Sequence, residues 1–307
     1  MNILIPGAGG PAGLNLIKML KKENWKGKII SVDCDKYASG FFLSDKYYVI
    51  PKTKDLDNFD KCIKKIIKDN NIKIILPTNE STLKYFSLSK NKYLKNVNVL
   101  YSDIEVINLC NDKWKFYNFI KDYFHEIVPI TSNKKLNIYP HITKPKIGSG
   151  SRGFRIINSF SENKNINDNI FQEYLPGMEV TVDTISDMKG NFLYSICRER
   201  LSIKSGISIK GRVFDNTYLN NICKKLCEYI CIKGFANIQF KKDKNNKWKI
   251  LEINPRFGGG TIFSYLAGIN IVKCISSIIE KNIKISDIVS NFKEIIVVRY
   301  FEEIIIS

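Results

Sequence analysis

The sequence predicts an α/β fold in which a doubly wound parallel sheet is followed by an antiparallel α+β region. Up to about residue 110, apolar strand-like runs alternate with amphipathic helical segments, a rhythm typical of parallel sheets. Beyond residue 112, strands follow one another with glycine-bearing turns between them, as in antiparallel sheets. The 307 residues are 44% apolar, which is enough for a large core and excludes a disordered chain.

The first 110 residues are predicted to hold five strands and three helices. Apolar residues recur at helical spacing in the first helix, at Leu14, Ile17 and Leu20. The predicted strands are 2–6, 28–33, 47–50, 72–77 and 97–101, and the predicted helices are 11–22, 56–70 and 82–89.

The second part of the chain is predicted to begin with a helix over 112–123. Strands are then expected at 141–146, 153–157, 170–175, 178–186 and 191–199. They are followed by a helix at 216–232, a hairpin at 234–254 and a helix from about 261. We predict three units with the boundaries 1–110, 111–175 and 176–307.

The formal net charge of +18 suggests a nucleic-acid partner at first sight, but the kind of cation argues against one. All seven arginines follow residue 151, and the lysine excess is spread along the whole chain as ordinary solvated charge. We therefore expect no nucleic-acid partner. No run approaches the ~18 apolar residues of a membrane helix, and the N-terminus lacks a secretory signal, so we expect a cytoplasmic protein without a membrane partner.

Cysteines and histidines do not form a recognisable reactive site in the sequence. The eight cysteines are scattered, and Cys223, Cys227 and Cys231 are predicted to form one apolar stripe of a helix. The two histidines show no metal-ligand spacing. A zinc enzyme or a histidine-dependent triad is therefore not expected.

A first glycine loop joins the first strand to the first helix. Gly7, Gly9 and Ala12 fit the dinucleotide-binding pattern, and Asp33 ends the second strand. An NAD-dependent oxidoreductase is therefore one alternative, although any tight strand-to-helix turn also favours glycine. The segment 77–80 follows the fourth strand and either lines the ligand crevice or caps the next helix.

A second glycine loop follows the strand that carries Lys144. This lysine alternates with Ile142, so it is predicted to point inward, where an ammonium group needs an anion. The loop runs from Gly148 to Gly153, and such a loop can fold its N–H groups over phosphates. A nucleotide phosphate is the expected partner of Lys144, and an internal salt bridge is the alternative.

The hairpin at 234–254 is predicted to gather oxygen ligands on one face. If Asn245 and Asn246 form a two-residue type I′ turn, Gln239 lies opposite Glu252 and Asn237 opposite Asn254. The other face is apolar and comprises Ala236, Ile238, Leu251 and Ile253. Carboxylate and amide oxygens suit Mg²⁺, whereas the alternative is a solvated polar face.

The order of these motifs resembles the ATP-grasp superfamily, most closely the branch around the carbamoyl phosphate synthase large subunit and the pyrrolysine-pathway ligase. The resemblance covers nearly the whole chain. Its motifs are Asp112-Lys113, Lys144-Pro145 with the second glycine loop, Phe171-Gln172-Glu173-Tyr174-Leu175, Asn237-Ile238-Gln239 and Leu251-Glu252-Ile253-Asn254-Pro255-Arg256. The implied fold is a Rossmann-like pre-ATP-grasp parallel sheet followed by an α+β ATP-grasp fold of two subdomains.

The resemblance implies an ATP site. Lys113 and Lys144 match the two lysines that hold ATP phosphates, and Glu179 matches the residue on the ribose. The mobile loop over the phosphates corresponds to Gly148, Ser149, Gly150, Ser151, Arg152 and Gly153. The hinge whose backbone reads adenine corresponds to Gln172, Glu173, Tyr174 and Leu175.

The resemblance also implies a metal site and a catalytic arginine. Gln239, Glu252 and Asn254 match positions that bind Mg²⁺ or Mn²⁺. Arg256 matches the arginine that stabilises the transferring phosphoryl group, and Lys144 assists it. We also expect Arg200, in an arginine-rich segment, to meet the acidic substrate or the acyl phosphate, and exposed strand charge is the alternative.

The implied activity is an ATP-dependent ligase that joins a small carboxylate to an amine or ammonia through an acyl phosphate. One alternative is an ATP-grasp phosphotransferase or carbamoyl-phosphate-forming enzyme, and another is a nucleotide-binding protein without turnover. Ammonia from glutamine would need a separate donor protein. A homodimer is compatible with the resemblance.

Overall fold

The computed structural model describes residues 1–88, 94–148, 153–162, 167–282 and 284–306. Its first sheet has the order β3-β2-β1-β4-β5, and each strand pair in it is parallel. The strands are β1 (Asn2–Pro6), β2 (Ile29–Asp33), β3 (Lys46–Val49), β4 (Ile72–Ile75) and β5 (Asn98–Val99). The predicted doubly wound sheet is confirmed. Its strand order reverses between β1 and β4, and ligand crevices form where such an order reverses.

Successive residues of β1 point into different cores. Ile3 and Ile5 belong to one buried cluster and Leu4 to another, as the two-residue period of a strand requires. The helices of this half are α1 (Pro11–Lys22), α2 (Leu56–Asp69), α3 (Glu80–Leu88) and α4 (Ile104–Asn111). The sheet is therefore covered on both faces, as a parallel sheet must be.

The second half contains two antiparallel sheets. The smaller has the order β6-β9-β7-β8, and the larger has the order β14-β13-β10-β11-β12-β15. The smaller sheet comprises β6 (Thr131–Ser132), β7 (His141–Pro145), β8 (Arg155–Ile157) and β9 (Asn169–Glu173). The larger comprises β10 (Glu179–Ser186), β11 (Phe192–Lys204), β12 (Ile207–Phe214), β13 (Gly234–Lys242), β14 (Trp248–Asn254) and β15 (Ile295–Val298).

Five helices accompany these sheets in the described part of the chain. They are α5 (Lys113–Ile120), α6 (Thr217–Ile230), α7 (Thr261–Leu266), α8 (Ile271–Glu280) and α9 (Ile285–Ile288). Asp112 caps α5 by accepting hydrogen bonds from Trp114 N and Lys115 N. Helices α7 and α8 share one buried cluster with α1, so the last part of the chain packs onto the first sheet. Among the described residues, no helix has the length and apolar character that crossing a membrane requires.

The cysteine stripe of α6 is shorter than the sequence suggested. Cys223 and Cys227 are fully buried in the core of the larger sheet. Cys231 is exposed, because it lies beyond the helix as its C-cap, with a left-handed φ of 61°. The stripe therefore ends where the helix ends.

The hairpin formed by β11 and β12 was not predicted. Strand β11 continues to Lys204 instead of ending near 199, and Ser205 and Gly206 turn the chain with φ values of 49° and 78°. Two successive positive φ values are the signature of a type I′ turn, for which Ser-Gly is suitable. The segment read as an arginine-rich stretch is therefore a pair of antiparallel strands, with two shifts of register between Arg200 and Ile203.

The hairpin formed by β13 and β14 has the predicted register at the candidate metal site but a different turn. Gln239 lies opposite Glu252 and Asn237 opposite Asn254, which confirms the pairing. The turn is longer than predicted, because Asp243 N binds Lys247 O and only Asn246 has a positive φ. A one-residue irregularity between Gln239 and Phe240 then restores the register.

Candidate functional site

Two adjoining cavities lie where the three sheets meet. The first has a volume of about 530 Å³ and lies between the two antiparallel sheets, and we call it the inner cavity. The second has a volume of about 360 Å³ and reaches the C-terminal end of the parallel sheet, and we call it the outer cavity. Both are lined by Arg200, Gly206, Ile207, Gln239, Asn254 and Arg256. The two cavities therefore form one continuous site with a shared middle.

Most of the residues singled out in the sequence line the inner cavity. They come from distant parts of the chain and from both antiparallel sheets. They are Lys113, Lys144, Gly148, Glu173, Tyr174, Leu175, Glu179, Arg200, Gln239, Glu252, Asn254 and Arg256.

Two of the described candidates do not line this cavity. Gln172 is fully buried in β9, where its Nε2 donates to Thr131 Oγ1 at 2.9 Å. Gly153 packs against Pro145 with a φ of 75°. The candidates Ser149, Gly150, Ser151 and Arg152 lie outside the described residues. Of the four residues in the predicted hinge, only the last three line the cavity, beginning at Glu173.

Lys113 and Lys144 approach the cavity from different elements. Lys113 is buried at the start of α5, and its Nζ donates to Gly148 O at 2.7 Å. Lys144 projects from β7, with its Nζ 5.7 Å from the centre of the Tyr117 ring. Burial lowers the pKa of Lys144 to about 8, with Lys113 acting in the same direction and Glu252 opposing both. The described residues therefore supply two cations around a space suited to an anion.

The oxygen ligands predicted on the β13–β14 hairpin converge on the same wall. Glu252 Oε1 accepts from Asn254 Nδ2 at 3.0 Å, and its other carboxylate oxygen lies 4.0 Å from Lys113 Nζ. Gln239 lies across the hairpin, within 3.5 Å of an Arg200 nitrogen.

This donor set fits a hard cation held partly by other ligands. One carboxylate and two amide groups provide oxygen atoms, which Mg²⁺ prefers. Among the described residues there is no group of three or more His, Cys, Asp or Glu side chains that could enclose a metal ion. A cation at Glu252 would therefore need oxygen atoms from water or from a bound phosphate to complete its shell.

Arg200 is held in place by several partners at the junction of the cavities. Its Nη1 donates to Glu179 Oε1 at 2.5 Å, its Nε donates to Ser208 Oγ at 3.0 Å, and its Nη2 donates to Gly206 O at 2.7 Å. Glu179 is therefore paired with Arg200, although it lines the space where the ribose was expected. Arg200 also secures the unpredicted Ser205-Gly206 turn over the cavity.

Arg256 occupies the middle of the site. Its Nη1 donates to Phe257 O at 3.2 Å, and its Nη2 lies 3.4 Å from Asn254 Oδ1. Burial lowers the pKa of Arg256, while the carboxylates of Glu252 and Glu80 act in the opposite direction. Its guanidinium therefore faces carboxylates from both cavities.

The triglycine segment after Arg256 is fixed by residues from both ends of the chain. Gly259 O accepts hydrogen bonds from Asn15 Nδ2 at 2.7 Å and from Arg299 Nη2 at 2.5 Å. A Cβ on Gly259 would come within 3.0 Å of Pro11 Cβ. Glycine at this position thus allows the Arg256 segment to lie directly on the start of α1.

A closed polar cluster lies below the outer cavity. The two oxygens of Asp183 accept from Arg198 Nε and Nη2 at 2.6 and 2.8 Å, from Asn237 Nδ2 at 2.8 Å and from Ser264 Oγ at 2.6 Å. Asp183 and Arg198 are 5% and 3% exposed. Asn237, which the sequence placed with the oxygen ligands, is therefore engaged in this structural cluster.

The backbone after β9 presents unpaired groups to the inner cavity. In the described part of the chain, the N–H groups of Tyr174 and Leu175 have no hydrogen-bond acceptor. Leu175, Ile142 and Leu251 add apolar surface to the same space. Free backbone donors beside an apolar slot suit a flat heteroaromatic ring.

The first glycine loop has a structural explanation. The N–H of Gly9 donates to Asp33 Oδ2 at 2.9 Å, and the N–H groups of Gly7, Ala8 and Gly10 bind backbone carbonyls. A Cβ on Gly13 would lie 2.3 Å from Gly7 O. The loop therefore uses these N–H groups internally, so they are not free for the pyrophosphate of a dinucleotide.

Some residues that line the inner cavity or pack behind its lining were missed in the sequence. The Ser205-Gly206 turn and Ile207 line the inner cavity, and the signal for them was the Ser-Gly dipeptide between two alternating apolar runs. Tyr117 lies beneath Lys144 and donates to Leu251 O at 2.6 Å. A tyrosine within a helix carries no local signal of such a role.

Comparisons with known proteins match both halves of the molecule. Residues 3–100 match the family model described as PylC-like, N-terminal domain, and residues 165–304 match the model described as ATP-grasp in the biosynthetic pathway with Ter operon. The chain is 27% identical over 285 residues to the carbamoyl phosphate synthase large chain of Clostridium botulinum (strain Eklund 17B / Type B). The alignment covers 80% of this chain and 25% of that relative, so the chain spans about a quarter of its length.

Solved structures share the fold at low sequence identity. Biotin carboxylase from Campylobacter jejuni, in a beta-gamma-ATP complex, gives a TM-score of 0.69 at 19% identity, covering 90% of this chain and 70% of that one. A second structure is the biotin carboxylase domain dimer of Hydrogenobacter thermophilus 2-oxoglutarate carboxylase, in complex with MgADP, ADP and bicarbonate. Its TM-score is 0.70 at 15% identity, and the match covers 94% of this chain and 72% of that one. The sequence matches and the shared fold agree with the arrangement of sheets around the two cavities, and both make this chain similar to ATP-grasp proteins.

Proposed function

We propose that the protein is an ATP-dependent ligase that joins a small carboxylate to an amine or ammonia through an acyl phosphate. The nucleotide would occupy the inner cavity, with its phosphates near Lys113 and Lys144 and its base beside Tyr174 and Leu175. The carboxylate would enter from the outer cavity.

The observation that carries the proposal is the continuity of the two cavities at Arg256. Phosphoryl transfer requires the γ-phosphate and its acceptor to meet in line, in a place where negative charge is neutralised. Arg256 lines both cavities, and Asn254 and Gln239 lie beside it. A nucleotide and a carboxylate bound in separate cavities would meet at this guanidinium.

The proposed chemistry has two steps. A carboxylate oxygen attacks the γ-phosphorus while the bond from this phosphorus to the β–γ bridging oxygen breaks, which gives an acyl phosphate and ADP. The amine nitrogen then attacks the acyl carbon, the bond between that carbon and the phosphate oxygen breaks, and the amine loses a proton. No protein nucleophile is needed, so the chemistry is compatible with a site built from lysines, arginines and amides.

Residues in different parts of the site would have different roles in this chemistry. Lys113 and Lys144 would hold phosphate oxygens, and Arg256 would neutralise charge on the transferring group. Glu252, Asn254 and Gln239 would hold Mg²⁺ or Mn²⁺ together with phosphate oxygens. The bound cation would supply charge neutralisation at the phosphates.

Two related proposals follow from the fold neighbours and the first glycine loop. One neighbour is described as a domain dimer, and a homodimer of this chain is a proposal that measured molar mass can test. An NAD-dependent function is disfavoured because the N–H groups of Gly7, Ala8, Gly9 and Gly10 are used internally.

The test is a screen of amino acids and acidic sugars for ATP-dependent release of phosphate and ADP, with ammonia and simple amines as acceptors. The ligase proposal predicts release that depends on one carboxylate and one amine, and an amide product by mass spectrometry. A Lys144→Met variant should lose ATP affinity.

Other outcomes would contradict the ligase proposal. A stable phosphorylated product without free phosphate would indicate a phosphotransferase or carbamoyl-phosphate-forming enzyme. ATP binding without turnover on any carboxylate would indicate a nucleotide-binding protein. Binding of NAD but not ATP would overturn the ATP site itself.

A further inference from the structure

The outer cavity has walls of opposite charge. One wall is the C-terminal end of the parallel sheet and carries Asp33 and Glu80. The other carries Arg200, Arg256 and Arg198, the last of which is paired with Asp183. Cavities that bind a simple anion are expected to be lined by cations and neutral donors. An acidic wall facing an arginine wall therefore points to a ligand that carries both charges.

The carboxylates of this region differ in whether they are already used. Both oxygens of Asp33 accept backbone N–H groups, from Gly9 at 2.9 Å and from Asp35 at 3.1 Å. Glu80 is half-buried at the start of α3, and it has no hydrogen bond or ion pair with any residue in the described part of the chain. Glu80 is therefore the carboxylate on this wall that is available to a ligand.

The arginines of the opposite wall differ in the same way. Arg200 gives its nitrogens to Glu179, Ser208 and Gly206. Arg256 makes two longer contacts of 3.2 and 3.4 Å and stands at the opening between the cavities. Arg256 is thus the cation that can receive a carboxylate.

We propose that the outer cavity binds a carboxylate substrate that also carries an ammonium group, an α-amino acid being the simplest form. The carboxylate lies against Arg256, where it faces the nucleotide phosphates, and the ammonium group is bound by Glu80. This assignment rests on the proposed ligase function and specifies the class of its carboxylate substrate. Glu80 acts here as a specificity residue, because it distinguishes an amino acid from the corresponding acid without nitrogen.

The experiment uses hydroxylamine as the acceptor, so that the natural amine need not be known. The full chain is incubated with Mg-ATP, hydroxylamine and either L- and D-amino acids or the matched 2-hydroxy acids, and hydroxamate and ADP are measured. We expect at least one amino acid to react, with kcat/KM more than tenfold above that of its 2-hydroxy analogue.

The variants test whether Glu80 provides this preference. Glu80→Gln should raise the KM for the amino acid by about 10- to 100-fold, the range for losing a hydrogen bond to a charged group, and should leave the KM for ATP unchanged. Glu80→Asp keeps the charge and should retain most of the preference. Glu105→Gln is the matched control, because Glu105 lies in the first turn of α4 and is exposed.

The outcomes separate this inference from the ligase proposal. If 2-hydroxy acids or bicarbonate react as well as amino acids, or if Glu80→Gln keeps the preference, the amino-acid assignment is wrong and the ligase proposal stands. If no carboxylate yields hydroxamate and ADP, both are wrong. A Glu80→Gln protein that still binds ATP shows that its loss of amino-acid affinity is not a failure to fold.

Discussion

Two arginine–carboxylate pairs on the same two strands illustrate how depth decides the role of an ion pair. Arg198 and Arg200 lie two residues apart on β11, and their partners Asp183 and Glu179 lie on the adjacent β10. The Arg198–Asp183 pair is buried, and Asp183 receives further bonds from Asn237 and Ser264. The Arg200–Glu179 pair lines the inner cavity.

The difference shows that residue type and strand position do not distinguish a pair buried in the core from a pair that lines the candidate site. Removing one partner of a buried pair leaves a charge that water cannot reach, so the free energy of unfolding falls. At the cavity, water or a ligand can replace the lost partner. Stability should then change little, and ligand affinity and kcat should fall instead. The same substitution at the two arginines should therefore give opposite results.

The largest effect is expected for Arg198→Met. This variant leaves Asp183 buried without its cation, and it should lower the free energy of unfolding by about 3–5 kcal/mol. Urea denaturation of the wild type and the variant measures this loss. A double variant, Arg198→Met with Asp183→Leu, should recover part of it, since no buried charge then remains. A loss below about 1 kcal/mol in the single variant would contradict the structural role of the pair.

A smaller effect of a different kind is expected for Arg200→Met. Under the ligase proposal, kcat should fall by about 100-fold, the usual scale for losing a positioned charge near a transferring group. The free energy of unfolding should fall by only about 1 kcal/mol, because water can solvate Glu179 in the cavity. Steady-state kinetics and urea denaturation on the same preparation give both values. Unchanged kcat and KM would show that Arg200 carries only strand charge.

The smallest effect concerns Lys144 and pH. Its pKa of about 8 means that about half of these side chains are neutral at pH 8 in the free protein. ATP phosphates favour the charged form, so binding at pH 8 should take up about half a proton, and affinity should fall about fivefold between pH 8 and 9 if only the charged form binds. Calorimetry in buffers of different ionisation enthalpy measures the uptake.

A matched variant isolates the contribution of Lys144. Arg keeps its charge throughout this range, so Lys144→Arg should abolish the proton uptake. An uptake that persists in the variant would assign the titration to another group. At pH 6.5, where Lys144 is charged before binding, the wild type and variant should show the same proton uptake. Comparison of the wild type with Lys144→Arg therefore tests whether the buried Lys144 side chain gains a proton when an anion binds. Arg198 differs, because Asp183 already neutralises its charge.

The fold and much of the candidate site were predictable because they depend on periodicity and on motif order. The parallel sheet followed from strands that alternate with helices, and the register of Gln239 with Glu252 followed from hairpin arithmetic. The turn itself was wrong, since only Asn246 has a positive φ, and an irregularity near Phe240 compensated for it. No local pattern shows where an extra residue will be accommodated in a strand.

The tertiary structure decided which of the chemically suitable residues face the same space. From the sequence alone, the motifs that contain Lys144, Glu252 and Arg256 resemble those of ATP-grasp proteins, because this resemblance depends only on local motifs and their order. The sequence did not show that Glu80 lines the outer cavity together with Arg256 and has no hydrogen bond or ion pair with a described residue, nor that Asn237 donates a hydrogen bond to Asp183. Those facts depend on how separate sheets pack, and packing joins residues that are far apart in the chain. The depth of each charged group then matters as well. A deeply buried charge needs a partner within the protein, whereas a charge at a cavity can be paired by a ligand.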